Sequence, residues 1–344
     1  MLGTFMKRFQ SKLYTWGSST SSLGYETSKT TTSVPTPKQI SIDEPIKKCV
    51  LGSYHSALIT ESGNLYTFGN GSYGMLGHDD EKSYVQPKKI ESLSKLDIKV
   101  KDVALGSYHT AILTTDGEVW TMGYGGDLSG GFLRKIFSQS GGGLGHGDLH
   151  DKFVPSVIIS LKNHEDIVQI AAGAYHTIAL GASGNLYGWG KGEMGVLGNG
   201  STRTLNSPSP NKYFAKLLEG GIRITKIAAC KYSNIVLLNN GKLLVWGWNE
   251  VGQLALGNYA RADLYDTEKV PTEVTAFQEI AIKDFRLGED SSVFLSDEDR
   301  VFFAGIRLYR EPKEMKVPEN TTVKKIFTCR KVGGFITGNF ICRG

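Results

Sequence analysis

Cysteine is scarce in this chain: Cys49, Cys230, Cys329 and Cys342 stand alone among 344 residues. They form no Cys-x-x-Cys pair and show no regular spacing, which argues against a disulfide framework and a zinc site and fits a reducing or neutral compartment. Proline is sparse as well, at 10 residues, so a Pro-rich linker or collagen-like chain is excluded. No stretch approaches the ~18 apolar residues of a membrane span, which leaves peripheral or partner-mediated membrane contact. Charge of one sign is also missing: 39 basic residues face 34 acidic ones, a balance of +5. The basic residues are scattered in doublets such as Lys47-Lys48, Lys88-Lys89 and Lys324-Lys325, a poor match to a nucleic-acid footprint. Finally, there is no Gly-x-Ser-x-Gly elbow and no nucleophile with a base at motif spacing, so hydrolase chemistry has no support. A catalytic residue, a metal and a cofactor are not expected.

Glycine, by contrast, is abundant, with 42 residues, and it falls in a repeating frame. "LGSYHSALITESGNLYTFGNGSYGMLGHDD" from Leu51 is answered by "LGSYHTAILTTDGEVWTMG" from Leu105 and "AGAYHTIALGASGNLYGWGKGEMGVLGNG" from Ala172. Fainter copies start at Ala229, Leu287 and Thr328, and "KLYTWGSSTSSLGYE" from Lys12 supplies only the second half of a unit. Each full unit reads as four short strands, with Gly turns such as "ESGN" and "TDGE" making hairpins of the second and third. Four-stranded repeats of roughly 50 residues predict propeller blades, whose radial packing buries the sheet faces.

The pattern G-x-x-H-[ST]-x-x-L, then G-x-[LV]-[YW]-x-[FWM]-G, then an L-G-[HN] turn and a later Pro, resembles the regulator of chromosome condensation family of β-propellers. The likeness spans nearly the whole chain. It implies an all-β fold that starts at a third strand, Leu13 to Gly17, with the first and second strands of that blade returning at Val323 to Thr337 and pairing there to close the ring. Six repeats are counted where the family usually has seven. The implied organisation is a short basic segment, residues 1–11, followed by one propeller domain, 12–344, with a surface insertion at 125–143.

Several motifs invite chemistry and are better explained by the repeat. "GNGSYG" from Gly69 and "GKGEMG" from Gly190 match a dinucleotide fingerprint, yet each occupies the same point of a β repeat and leads to another turn, without the helix whose N-terminus receives a pyrophosphate. His55, His109 and His176 share one repeat position; a single active site cannot use all three, whereas inward imidazoles can tie neighbouring strands by hydrogen bonds. Later repeats carry Ser233, Ser291 and Val332 there, so the second half should be lined differently and held more loosely. "LGHGDLHD" from Leu144 groups His146, Asp148, His150 and Asp151, all possible ligands, but "LGHD" recurs from Leu76 as a polar turn.

The insertion stands out. From the third-strand glycine to the L-G turn, ordinary repeats run Gly69 to Gly77 and Gly190 to Gly198, whereas one runs Gly123 to Gly145. Phe132, Leu133, Ile136 and Phe137 would share one side of a helical turn, with Arg134 and Lys135 between them to meet acidic groups or lipid headgroups. Repeat proteins place binding features on such loops. The first residues, "MLGTFMKRFQSK", set Lys7, Arg8 and Lys12 among apolar residues with no acid before Glu26, which resembles a mitochondrial targeting segment; cytoplasmic and nuclear locations are the alternatives. Together these features predict a scaffold subunit of a mitochondrial assembly that grips other protein subunits through the insertion; the likeness of "GGGLGHGD" to the mitochondrial branch of the family implies a respiratory or ribosomal one. The alternative implied by the resemblance is a guanine-nucleotide exchange factor for a small GTPase.

Overall fold

The computed structural model describes residues 13–17, 23–26, 33–126, 143–257, 266–318, 321–328 and 333–337. Two antiparallel strands open it, β1 (Leu13–Gly17) and β2 (Val34–Ile40). Five four-stranded antiparallel blades follow. Blade I holds β3 (Ile46–Leu51), β4 (His55–Thr60), β5 (Leu65–Gly69) and β6 (Tyr84–Lys89). Blade II holds β7 (Val100–Leu105), β8 (His109–Thr114), β9 (Val119–Gly123) and β10 (Lys152–Val157). Blade III holds β11 (Ile167–Ala172), β12 (His176–Gly181), β13 (Leu186–Gly190) and β14 (Leu205–Pro210). In blade IV lie β15 (Ile224–Cys230), β16 (Ser233–Leu238), β17 (Leu243–Trp248) and β18 (Thr267–Glu273), and in blade V β19 (Ile282–Leu287), β20 (Ser291–Ser296), β21 (Val301–Gly305) and β22 (Tyr309–Met315). A last pair, β23 (Val323–Thr328) and β24 (Gly333–Thr337), packs on blade V.

Second strands are buried along their whole length in all five blades. Sandwiched between sheets, they need apolar residues on both faces, which is why "HTAIL" and "NIVLL" do not alternate. The third-strand glycines sit at positive φ, +113° at Gly69 and +111° at Gly123. A Cβ at Gly123 would come 2.4 Å from the Tyr108 carbonyl oxygen, so the neighbouring backbone and the left-handed φ both require glycine there.

Six inner strands share one central channel, lined by Leu51, Leu105, Ala172, Ala229, Leu287 and Thr328. Among the described residues the strands therefore mark out six sectors, the sixth divided between the two terminal pairs. Tyr14↔Gln39, Thr15↔Lys38 and Gly17↔Val34 repeat the register of Tyr66↔Lys89, Thr67↔Lys88 and Gly69↔Tyr84, which makes β1 and β2 a third and fourth strand. The Thr15 hydroxyl donates to the Leu23 carbonyl at 2.6 Å as Thr67 does to Leu76. β23 and β24 supply the first and second strands. Among the described residues these halves remain separate two-stranded sheets, so the ladder expected between β24 and β1 is not part of the described structure.

One side chain registers that division. The residue before the third-strand glycine is Phe68, Met122, Trp189, Trp246 or Ala304 in the full blades, each 0% exposed and mostly wedged against the preceding blade. Its counterpart in β1, Trp16, is 58% exposed.

Candidate functional site

The repeat histidines face inward. His55 Nε2 lies 2.7 Å from Thr110 Oγ1, and that hydroxyl donates to the Met75 carbonyl at 2.8 Å. Its oxygen must therefore accept, which fixes the proton of His55 on Nε2. His109 meets Thr177 at 2.9 Å, and His176 meets the side-chain oxygen of Asn234 at 2.8 Å. Each imidazole thus bridges its own blade to the next. Burial holds them neutral, down to about 4 at His55 and His176 and about 3 at His109. The three contacts run from blade I to II, II to III and III to IV.

One residue earlier, strand alternation turns the side chain outward. Tyr54, Tyr108, Tyr175 and Tyr232 stand at the turns between first and second strands of blades I to IV and stack in sequence around the channel mouth. Ring centroids are 5.2, 5.7 and 6.4 Å apart, with interplanar angles of 19°, 30° and 29°. Tyr73 meets Tyr108 edge-on at 5.7 Å and Tyr124 at 4.9 Å. Partial burial raises the Tyr108 phenol to about 12, with a contribution from its neighbour Tyr54, and burial moves Tyr175 and Tyr232 the same way. Tyr108, Tyr175 and Tyr232 stay neutral and half-buried and Tyr54 is exposed; tyrosine is enriched in protein interfaces. The signal for this arc was present in the sequence as "SYH", "SYH", "AYH" and "KYS"; attention to the histidine passes over the tyrosine beside it.

The repeat vocabulary decides the family. A family model described as the RCC1-like domain matches residues 12–311. The chain belongs to the RCC1-like domain family. Among its relatives, the chain is 30% identical over 273 residues to the RCC1 domain-containing protein RUG3, mitochondrial, of Arabidopsis thaliana, covering 79% of this chain and 56% of that protein. It is 32% identical over 217 residues to the ultraviolet-B receptor UVR8 of the same plant, covering 62% and 43%. The chain thus spans about half the length of these relatives. Two solved structures share the fold: human WBSCR16, with a TM-score of 0.72 at 21% identity over 94% of this chain and 81% of that one, and Prp20p of Saccharomyces cerevisiae, with a TM-score of 0.75 at 21% over 95% and 78%.

In this RCC1-like propeller the other sequence motifs take structural places. "GNGSYG" and "GKGEMG" form three-residue turns, Ser72–Gly74 and Glu193–Gly195, with Tyr73 and Met194 left-handed; no helix follows to hold a phosphate. His146 lies 3.0 Å from the Thr121 hydroxyl, as His78 does from Thr67, and Asp148 holds the His150 backbone N–H and Lys152. These are turn-forming contacts.

Phe132, Leu133, Arg134, Lys135, Ile136 and Phe137 lie outside the described residues. Both stems of their segment are described, and both belong to the tyrosine face. The first leaves through Tyr124 and Gly125, whose N–H donates to Asp151 at 2.8 Å. The second returns at Gly143, where a Cβ would sit 3.6 Å from the carbonyl oxygens of Tyr124 and Tyr175. The insertion therefore starts and ends beside the arc.

Proposed function

We propose that this RCC1-like propeller is a non-enzymatic interaction scaffold of a mitochondrial protein assembly, respiratory or ribosomal, docking its partner on the tyrosine face and gripping it through the 125–143 insertion. The observation that carries this reading is the placement of both insertion stems beside a four-tyrosine arc at the mouth of the channel. A relative described as mitochondrial supports the compartment, and a structural neighbour is described by its binding to Gsp1p and histones, which supports protein docking as the business of such a ring. Each of Phe132, Leu133, Ile136 and Phe137 contributes roughly 1.5–3 kcal/mol when fully buried in a partner, before ordering costs.

The test is purification of the tagged protein from mitochondria in mild detergent. Recovery of a large complex, lost when those four residues are replaced by Ser, is the expected result. Co-purification unchanged by the replacement, or a wholly non-mitochondrial location of the intact protein, overturns the reading. Release of labelled GDP from a panel of small GTPases tests the exchange-factor alternative, and this scaffold is expected to leave the release rate unchanged.

A further inference from the structure

The arc of rings ends in carboxylates. In blades I to IV the residue before the second strand's inward position is Tyr54, Tyr108, Tyr175 and Tyr232; in blade V that same position is Asp290, preceded by Glu289. The substitution sets two acids at the end of an aromatic track in a chain whose overall charge is +5. They sit at the channel mouth with Ser53, whose hydroxyl donates to Glu289 at 3.3 Å across from blade I. Lys231 Nζ reaches both Glu289 and Asp290 at 4.0 Å.

The same surface already holds cations in a consistent way. Lys191 Nζ lies 5.2 Å from the centre of the Tyr175 ring while pairing with Glu193 at 2.9 Å. Lys231 lies 5.2 Å over Trp248 while facing the two carboxylates. In both, a cation covers an aromatic face and an acid stands beside it. Tyr54, at the start of the arc, is 42% exposed and still offers ring surface. A guanidinium satisfies this combination better than an ammonium, because it is planar, stacks on aromatic faces and binds a carboxylate through two N–H groups.

We infer that the tyrosine arc and the Glu289–Asp290 pair form a seat for an arginine-bearing segment of a partner protein. This rests on the docking reading above and specifies its chemistry: a guanidinium lies on the Tyr54 ring, which Tyr108 backs from the other side, and pairs with the carboxylate of Glu289, which the neighbouring Ser53 already meets. An anionic partner such as RNA meets repulsion at the same place.

A fluorescein-labelled Arg-Gly repeat peptide, followed by anisotropy against the full chain, tests the inference, with the Lys-Gly and citrulline-Gly peptides and a single-stranded RNA as comparators. The arginine peptide is expected to bind about tenfold more tightly than the lysine peptide and the citrulline peptide to lose binding. Tyr108→Ala, which removes the ring that backs Tyr54, is expected to weaken the arginine peptide about tenfold. Glu289→Gln with Asp290→Asn should do the same without removing a packed ring, so it serves if Tyr108→Ala fails to fold. Equal binding of arginine and lysine peptides, preference for RNA, or indifference to both variants overturns the inference. Loss of the mitochondrial complex in Tyr108→Ala without any arginine preference would leave the docking reading standing and remove this one alone.

Discussion

Between blades I and II, His55 reaches across to Thr110; between IV and V, the residue at the same position, Ser233, turns back to the Trp248 carbonyl of its own blade at 2.8 Å. Gln253 joins that serine at 3.2 Å, and Ser292 of blade V donates to the Gln253 carbonyl. What fills the junction is apolar: Phe277 lies 4.9 Å from Phe294 and 5.2 Å from Phe302, with Phe285 fully buried beside them. The second half is thus lined differently at this position, and a buried aromatic cluster fills its junction. A junction can be held by buried polar bridges or by ring packing, and the choice changes how it responds to pH, since only the imidazoles titrate near neutrality.

Breaking the apolar junction should have the largest effect. Phe294→Ala is expected to cost about 3–5 kcal/mol, read from the urea midpoint, with acid sensitivity unchanged. Next comes acidification, which addresses the histidine side. The folded values of His55, His109 and His176 lie below the unfolded 6.5, so the unfolded chain binds more protons below that pH. Stability is full above about 6.5 and is lost as pH falls towards the folded values. Lowering the pH from about 7 to about 5.5 should cost about 1 kcal/mol per histidine. Replacing all three by Gln should flatten the slope over that window, and an unchanged slope would assign it elsewhere.

A smaller loss is expected from Ser291→Ala, which removes the 2.8 Å contact to Thr328 between blade V and β23 and should cost about 1 kcal/mol in the same urea experiment. The least effect belongs to Trp16→Ala. Trp189 and Trp246 hold the matching position fully buried, and their truncation should cost about 3–5 kcal/mol. The exposed Trp16 should cost no more than about 0.5 kcal/mol. A Trp16 loss as large as that of Trp189 would mean that the divided sector packs in solution as tightly as the full blades do.

The fold was legible because its signals are local and repeated. The His-to-Gly pairing of the second and third strands, His109↔Gly123 and His176↔Gly190, follows from one short pattern written again in each unit, and the half-unit at Lys12 announced the third strand at Leu13. The make-up of the sixth sector, with β1 as its third strand and β23 and β24 as its first and second, was implied by the family resemblance as well; what no local pattern encodes is the pairing between β24 and β1. Of the site, the stems of the insertion could be read from repeat length. The tyrosines of the arc share a repeat position beside the histidines and were legible to that extent; their stacking was not, since the contact between Tyr54 and Tyr108 joins turns 54 residues apart.

Thr121 donates to the Leu144 carbonyl at 2.7 Å, and Thr67 makes the same bond to Leu76 at 2.6 Å, although the chain between donor and acceptor is 23 residues in one blade and 9 in the other. The blade closes identically over both lengths. Since doubling a loop adds only about 0.6 kcal/mol of closure entropy, this turn is a grafting port: the propeller can exchange whatever it carries between Gly126 and Gly143 while keeping its own hydrogen bonds. The covalent chain thereby separates what this turn carries from the hydrogen bonds that hold the ring.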